Sequence, residues 1–260
     1  TSLEPSVKRP VAIQPCHAGG ALRVRILQDA ALAGRLHHHN ITTVYEFGME
    51  GDTPYIVQEF LSGEDLSAMI TRRAPISILE KVKILVGAAC GLEFAHRNGV
   101  IHRDVKPANV RVLEDGSVKI MDFGIAKSME ASSDLTGTGV ALGSAAHMSP
   151  EQICGDAVDL RTDVFSFGVL AYELFAYRKP FRDQSVFRLL ESIVKEEPDP
   201  IEEFAPDLPP FLGAAVRKAM QKKPADRFSS MTELRDGLVG APAQEASAPP
   251  RRIGAAPLPD

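Results

Sequence analysis

Two short stretches carry most of the information in this chain: His102-Arg103-Asp104-Val105-Lys106-Pro107-Ala108-Asn109 and, thirteen residues after it, Asp122-Phe123-Gly124. Phosphoryl transfer from ATP needs a carboxylate that orients the attacking hydroxyl, a cation beside the moving phosphoryl group, and oxygen ligands for magnesium. Asp104 provides the carboxylate, and Lys106 provides the cation on the same side of an extended loop. Asn109 and Asp122 provide the oxygen ligands. The pattern therefore predicts a phosphoryl-transfer site.

The segment between the two stretches has the pattern of a β-hairpin. Val110–Leu113 and Ser117–Met121 are strand-like, and they flank the turn Glu114-Asp115-Gly116. A hairpin returns the chain to its starting point, so we expect Asp122 to lie beside Asn109.

These residues together resemble the protein kinase family. Lys106, two residues after Asp104, is typical of its serine/threonine branch. The likeness is greatest to bacterial kinases of the eukaryotic (Hanks) type, whose activation segment resembles Leu135-Thr136-Gly137-Thr138-Gly139-Val140-Ala141-Leu142-Gly143-Ser144 followed by Met148-Ser149-Pro150-Glu151-Gln152. The resemblance covers about residues 10–239. It implies ATP- and Mg²⁺-dependent phosphorylation of serine or threonine hydroxyls on proteins.

The resemblance also implies residues that hold the active geometry. Asp163 is expected to hold the backbone of the catalytic loop (residues 102–109), Glu151 to pair with Arg227, and His102 to stack on Phe123.

A further group is implied in regulation by phosphorylation. Arg103 precedes the catalytic aspartate, as in kinases activated on this loop, and a phosphate on Thr136 or Thr138 would pair with it. Ser144 supplies the hydroxyl that a threonine usually places near the catalytic pair.

The nucleotide-binding residues implied by the family lie in the first quarter of the chain. Glu59 and Leu61 belong to the segment whose backbone binds adenine, directly after the gatekeeper Gln58, and Asp65 lies where the ribose is met. Ala12 and Gln14 belong to the strand that faces the phosphates.

The same region contains the departures from the family pattern. Gln14 stands where the phosphate-binding lysine is expected, and Asp29 stands at the position of its glutamate partner. No glycine-rich loop is present in residues 1–9, and Lys8 is a weak candidate to replace the missing charge. Loss of one preorganised charge costs about 10²–10³ in rate, so we expect reduced or absent activity. Arg111 stands on the floor of the adenine site, where it either obstructs ATP or turns outward.

The expected architecture is an α+β, two-lobed protein kinase-like fold. Residues 1–240 form the kinase domain, with an incomplete β-rich N-lobe at 1–61 and a larger α-helical C-lobe at 62–240. Residues 241–260 are rich in Ala and Pro, which predicts a flexible tail. The periodicity further predicts the following elements: strands at 10–13, 42–47 and 54–60, and helices at 21–36, 77–96, 159–176, 185–195, 212–220 and from Ser230 onward.

Composition excludes several other classes of protein. Hydrophobic residues make up 44% and charged residues 24% of the 260 residues, which excludes a disordered chain. The net charge of −5 gives no indication of nucleic-acid binding. No stretch approaches the roughly 18 apolar residues of a membrane span, so we expect no membrane contact by this segment.

The expected compartment and partners follow from the same sequence. Three scattered cysteines predict no disulfide framework and favour a reducing compartment. We expect a cytoplasmic location, either for this protein as such or for the cytoplasmic domain of a longer, membrane-anchored one. The first residue is Thr1, so we expect an N-terminally truncated piece. Protein substrates are the expected partners, and a kinase homodimer stays open.

Two alternative functions remain at this point. A pseudokinase scaffold or regulatory binding module would keep the fold with weak or no ATP turnover, as the departure at Gln14 suggests. A small-molecule kinase of similar fold is disfavoured by Ser149-Pro150-Glu151 and the threonines of the loop, because these serve a platform for protein substrates.

Overall fold

The computed structural model describes residues 2–3, 10–15, 34–51, 53–123 and 145–240. Several positions singled out above lie outside these residues: Lys8, Asp29, Gly124, Thr136, Thr138, Ser144 and the segment 241–260. Residues 21–33 of the predicted helix 21–36 also lie outside them. Residues 34–36 form a turn and a loop, so the prediction of a helix through Leu36 is wrong. Gly34 has low helix propensity, which disfavours a helix at residues 34–36.

A four-stranded antiparallel sheet is built from the first sixty residues. Its strands, in the spatial order β1-β2-β4-β3, are β1 Ser2–Leu3, β2 Pro10–Pro15, β3 Val44–Glu50 and β4 Thr53–Glu59. The predicted strands are confirmed, although β3 begins later and ends later than predicted because its pairing with β4 continues to the pair Glu50 and Thr53. Gly51, with φ of +58°, allows the tight turn between them.

A second sheet has three strands. It consists of β5 Glu64–Asp65, β6 Val110–Val112 and β7 Val118–Ile120 in that spatial order. The predicted hairpin is therefore confirmed. Just past β7, the Met121 amide donates to the Asn109 carbonyl at 2.9 Å. This bond brings Asp122, the next residue, beside Asn109.

Seven α-helices and three 3₁₀ turns form the rest of the described chain. The helices are α1 Leu66–Thr71, α2 Ile78–Arg97, α3 Pro150–Cys154, α4 Arg161–Ala176, α5 Val186–Lys195, α6 Pro210–Ala219 and α7 Met231–Leu238. The 3₁₀ turns are Pro107–Asn109, Ile201–Glu203 and Pro224–Asp226. The predicted capping box of α2 is present: Ser77 Oγ accepts from the Glu80 amide at 3.2 Å, and Glu80 Oε2 accepts from the Ser77 amide at 2.8 Å.

The core of the helical part is organised around α4. Every residue from Thr162 to Ala176 is buried, and Phe165, Phe167 and Tyr172 are among the largest fully enclosed side chains. Asp163 lies on this buried helix. Its carboxylate accepts hydrogen bonds from backbone amides of the catalytic loop. Across the described ranges, no helix has both the length and the apolar character needed to cross a bilayer.

Candidate active site

The catalytic loop is held from below by Asp163 of α4. One carboxylate oxygen of Asp163 accepts from the His102 amide and the other from the Arg103 amide, each at 2.8 Å. His96 Nε2 lies 2.7 Å from the first of these oxygens. Arg103 adopts φ of +62°, a conformation that a non-glycine residue keeps only when its surroundings impose it. The Asp163 carboxylate, which is fully buried, supplies that constraint.

Two side chains of the loop converge on the carboxylate of Asp104. Lys106 Nζ lies 2.7 Å from Asp104 Oδ2, and the Asn109 side-chain amide donates to the same oxygen at 3.1 Å and to the Asp104 carbonyl at 2.9 Å. Because Asn109 donates through its nitrogen, its amide oxygen is the atom that can bind a metal. The structure thus brings together Asp104, Lys106 and Asn109.

Asp122 completes this group from the end of the hairpin. Burial raises the pKa of the Asp122 carboxyl above its usual value, although His102 and a hydrogen bond from Gln14 act in the opposite direction. A carboxylate that is poorly solvated gains from a nearby cation. Its backbone adopts φ of +53°, so this side chain too is held in an unusual conformation.

The oxygen donors fit a hard divalent metal that is bound together with phosphate. Within the described ranges, no group of three or more His, Cys, Asp or Glu side chains could hold a metal ion. Mg²⁺ is typically bound by one or two protein oxygens together with substrate phosphates and waters. The carboxylate of Asp122 and the amide oxygen of Asn109 are a donor set of that kind.

His102 and Phe123 connect the loop to the segment that carries Asp122. Their ring centroids lie 4.6 Å apart, and His102 Nε2 lies 3.0 Å from the Met121 carbonyl oxygen. His102 is fully buried and Phe123 nearly so. A shift of one segment would therefore displace the other.

Gln14, on strand β2 of the four-stranded sheet, also contacts this site. Its side-chain oxygen accepts from Gln58 Nε2 at 3.1 Å, and its side chain is also hydrogen-bonded to Asp122. Ala12 lies directly opposite Gln58 in the pairing of β2 with β4. Gln14, which stands where a lysine is expected, therefore contacts Asp122 through a neutral amide instead of a charged group.

Glu59 is the last residue of β4, and Leu61 lies in the segment that joins the two sheets. The side chain of Glu59 is turned toward β7, where Lys119 Nζ lies 2.7 Å from Glu59 Oε2. The Glu59 amide donates to the Thr43 carbonyl at 2.9 Å, and Leu61 is buried. The side chain and the amide of Glu59 are thus both engaged within the protein.

Asp65 and Arg111 have structural partners in the described chain. Asp65 Oδ1 accepts from the Ala68 amide at 2.9 Å and so caps α1, a helix that the sequence analysis missed. The signal was present in the Asp followed by a short apolar run. Arg111 donates to the Gly63 carbonyl at 2.8 Å. Its guanidinium is thus turned to the edge of β5.

Helix α3 is anchored by a buried ion pair. Arg227 contacts both carboxylate oxygens of Glu151 at 2.7 and 2.8 Å, and Thr162 donates to the same group at 2.7 Å. Burial alone would raise the pKa of Glu151, but the bonds from Arg227 and Thr162 hold it below its ordinary value. Gln152 adds a link that sequence reasoning missed: its side chain donates to the Arg103 carbonyl at 3.0 Å.

Comparison with known proteins agrees with this geometry. The protein kinase domain family matches residues 14–237. The chain belongs to the protein kinase family. ATP and a divalent metal are used generally in this family.

The similar curated proteins are bacterial serine/threonine kinases. Serine/threonine-protein kinase PknB of Mycobacterium leprae is 36% identical over 220 residues, which cover 83% of this chain and 35% of that protein. Probable serine/threonine-protein kinase CE0033 of Corynebacterium efficiens is 39% identical over 221 residues, which cover 82% of this chain and 34% of that protein. The chain thus spans about a third of the length of these relatives. They identify the segment as a catalytic domain of the bacterial serine/threonine type.

Proposed function

We propose that this kinase domain transfers the γ-phosphate of ATP to serine or threonine hydroxyls of proteins, with Mg²⁺ as its metal. The observation that carries the proposal is the convergence of Lys106 and Asn109 on the carboxylate of Asp104, at 2.7 and 3.1 Å. These are the residue types that phosphoryl transfer requires, held on a loop whose backbone is fixed.

Asp104 orients the acceptor hydroxyl and takes its proton. The hydroxyl oxygen forms a bond to the γ-phosphorus while the bond from that phosphorus to the bridging oxygen of ADP breaks. Lys106 lies beside the carboxylate, where its ammonium neutralises charge on the transferred group. Mg²⁺, when bound to Asn109 and Asp122, supplies further charge neutralisation of the phosphates.

The nucleotide, regulatory and location assignments are part of the same proposal. The backbone of Glu59 and Leu61 binds adenine, Asp65 meets the ribose, and Ala12 and Gln14 face the phosphates. Phosphorylation of Thr136 or Thr138 activates the domain, because the phosphate pairs with Arg103.

The domain acts in the cytoplasm, alone or as part of a membrane-anchored protein. Whether it forms a homodimer stays open. The free thiols of Cys90 and Cys154 suit a reducing compartment.

The experiment is transfer of labelled phosphate from Mg·ATP by the purified chain, to itself and to a generic basic protein. Asp104→Asn keeps the size of the side chain and removes the base. We expect it to lower the rate by about 10²–10⁴-fold, the usual contribution of a general base. Asp115→Asn, in the exposed turn between β6 and β7, is the matched control and should leave the rate unchanged.

Equal labelling by the wild-type protein and Asp104→Asn would contradict the assigned role. Nucleotide binding without any transfer by the wild-type protein would favour the non-catalytic binding module instead.

A further inference from the structure

Gln14 and Gln58 meet on one face of the small sheet. In the antiparallel register of β2 and β4, Ala12 lies opposite Gln58 and Gln14 lies opposite Ile56. The two glutamines are therefore diagonal neighbours, a distance that long side chains can span. Their side chains do so, because Gln58 Nε2 donates to Gln14 Oε1 at 3.1 Å.

The direction of this bond determines which atom of Gln14 faces Asp122. Gln14 accepts from Gln58 with its oxygen, so its nitrogen is the atom that donates to the Asp122 carboxylate. The three side chains form one series of hydrogen bonds from Gln58 through Gln14 to Asp122. A lysine at position 14 has no acceptor and would not be oriented by Gln58 in this way.

Asp122 is a residue whose orientation needs support. Its φ of +53° is unfavourable for a side chain with a Cβ and persists only where the surroundings impose it. A carboxylate has about four acceptor sites, so one N–H from Gln14 leaves others for a cation. Gln58 and Asp122 also line the same small cavity between β4 and β7, together with Thr42 and Ile120.

We propose that Gln58 and Gln14 form a two-amide relay that positions Asp122 for metal binding. Gln58 is then a positioning residue that acts through Gln14 and touches neither metal nor phosphate. The inference rests on the proposed function, since it takes Asp122 as a metal ligand. The proposal gives Gln58, at the gatekeeper position, an effect on the affinity for the metal.

The test measures Mn²⁺ affinity by electron paramagnetic resonance, with a non-hydrolysable ATP analogue present. Gln58→Met and Gln14→Met keep approximate side-chain size and remove the amides. We expect each to weaken Mn²⁺ binding about tenfold, as for one hydrogen bond to a charged group. The double variant should be no weaker than either single one, since both changes interrupt the same relay. Ile13→Ala, an exposed neighbour on β2, is the control and should bind Mn²⁺ like the wild-type protein.

Two results would overturn the relay. Wild-type Mn²⁺ affinity in Gln58→Met would show that Gln58 does not act on Asp122. Losses that multiply in the double variant would show that the two glutamines act independently.

A second measurement separates the relay from the proposed function. If the wild-type protein binds no Mn²⁺ with the analogue, the proposed function fails, and the relay is judged in the ligand-free protein. A double-mutant cycle of denaturant unfolding with Gln14→Met and Gln58→Met should show a coupling of at least about twofold in the unfolding equilibrium constant. Additive effects in that cycle would overturn the relay.

Discussion

The catalytic loop and strand β2 both contribute polar side chains to the candidate active site, but these side chains are held in place in different ways. The loop uses charged groups that are largely buried: Asp163 fixes two of its amides, and Lys106 lies against Asp104. Strand β2 uses Gln14, which is neutral, exposed and held by other side chains. The half proposed to perform transfer therefore depends on fixed charge, and the half proposed to face the nucleotide depends on hydrogen bonds alone.

Removing a buried charge from the helical lobe should have the largest effect. Arg227→Met leaves the Glu151 carboxylate buried without its cation, which typically costs about 3–5 kcal/mol. We expect a loss of that size in the free energy of unfolding, measured with a denaturant. Arg217→Met is the control: its pair with Glu202 is half exposed, and about 0–1 kcal/mol is expected. Equal losses of unfolding free energy in the two variants would contradict the expected difference between the buried pair and the half-exposed pair.

The same pair predicts a dependence on pH. The folded pKa of Glu151 lies below its ordinary value of 4.5. Its stabilising contribution is therefore complete above pH 4.5 and is lost as the pH falls through the lower folded value. In Arg227→Met, burial without the cation should raise the folded pKa of Glu151 above its ordinary value. The contribution of Glu151 to the unfolding free energy should then increase as the pH falls, which is opposite to the wild-type trend.

The support of the catalytic loop should be the next most sensitive feature. Asp163→Asn keeps the shape but offers one acceptor oxygen where the carboxylate had two. One of the amides of His102 and Arg103 then loses its bond, at a cost of about 1.5–3 kcal/mol for a bond to a charged group. We expect a comparable loss of unfolding free energy and a lower kcat. An unchanged kcat would show that the loop keeps its geometry without Asp163.

Strengthening the weaker half should increase activity. Gln14→Lys places an ammonium beside Asp122 and the phosphates, so we expect kcat/KM for ATP to rise by about tenfold, a fraction of the 10²–10³ that one preorganised charge supplies. Gln14→Met is the matched control, with neither charge nor amide. Equal kcat/KM in Gln14→Lys and Gln14→Met would show that charge at this position does not limit the reaction.

The smallest effect is expected at Asp65, where structure and prediction assign different roles. As the cap of α1, its replacement in Asp65→Ala should cost about 1 kcal/mol of unfolding free energy. If Asp65 also meets the ribose, KM for ATP should rise as well. Asp65→Asn, which retains capping, separates the two: an unchanged KM would limit the residue to the cap.

Local patterns could be read from the sequence, and distant contacts could not. The hairpin at 110–120 was predictable because its turn is encoded by adjacent residues. Asp104, Lys106 and Asn109 were predictable because phosphoryl transfer needs these residue types at this spacing. The pairs Gln14–Gln58 and Glu59–Lys119 join residues 44 and 60 positions apart. They depend on strand register and on how the sheets pack, which no local pattern specifies. The cap at Asp65 was a local signal that was missed.

The ion pair between Glu151 and Arg227 has a consequence for synthesis on the ribosome. Its partners are separated by 76 residues, and Arg227 also donates to the carbonyls of Arg161, Gln221 and Lys222. Until residue 227 leaves the exit tunnel, the Glu151 carboxylate has no cation to offset its burial. The emerging chain thus cannot complete this anchor of α3 before residue 227 has been made. Order of translation therefore makes this anchor one of the last parts of the domain to form.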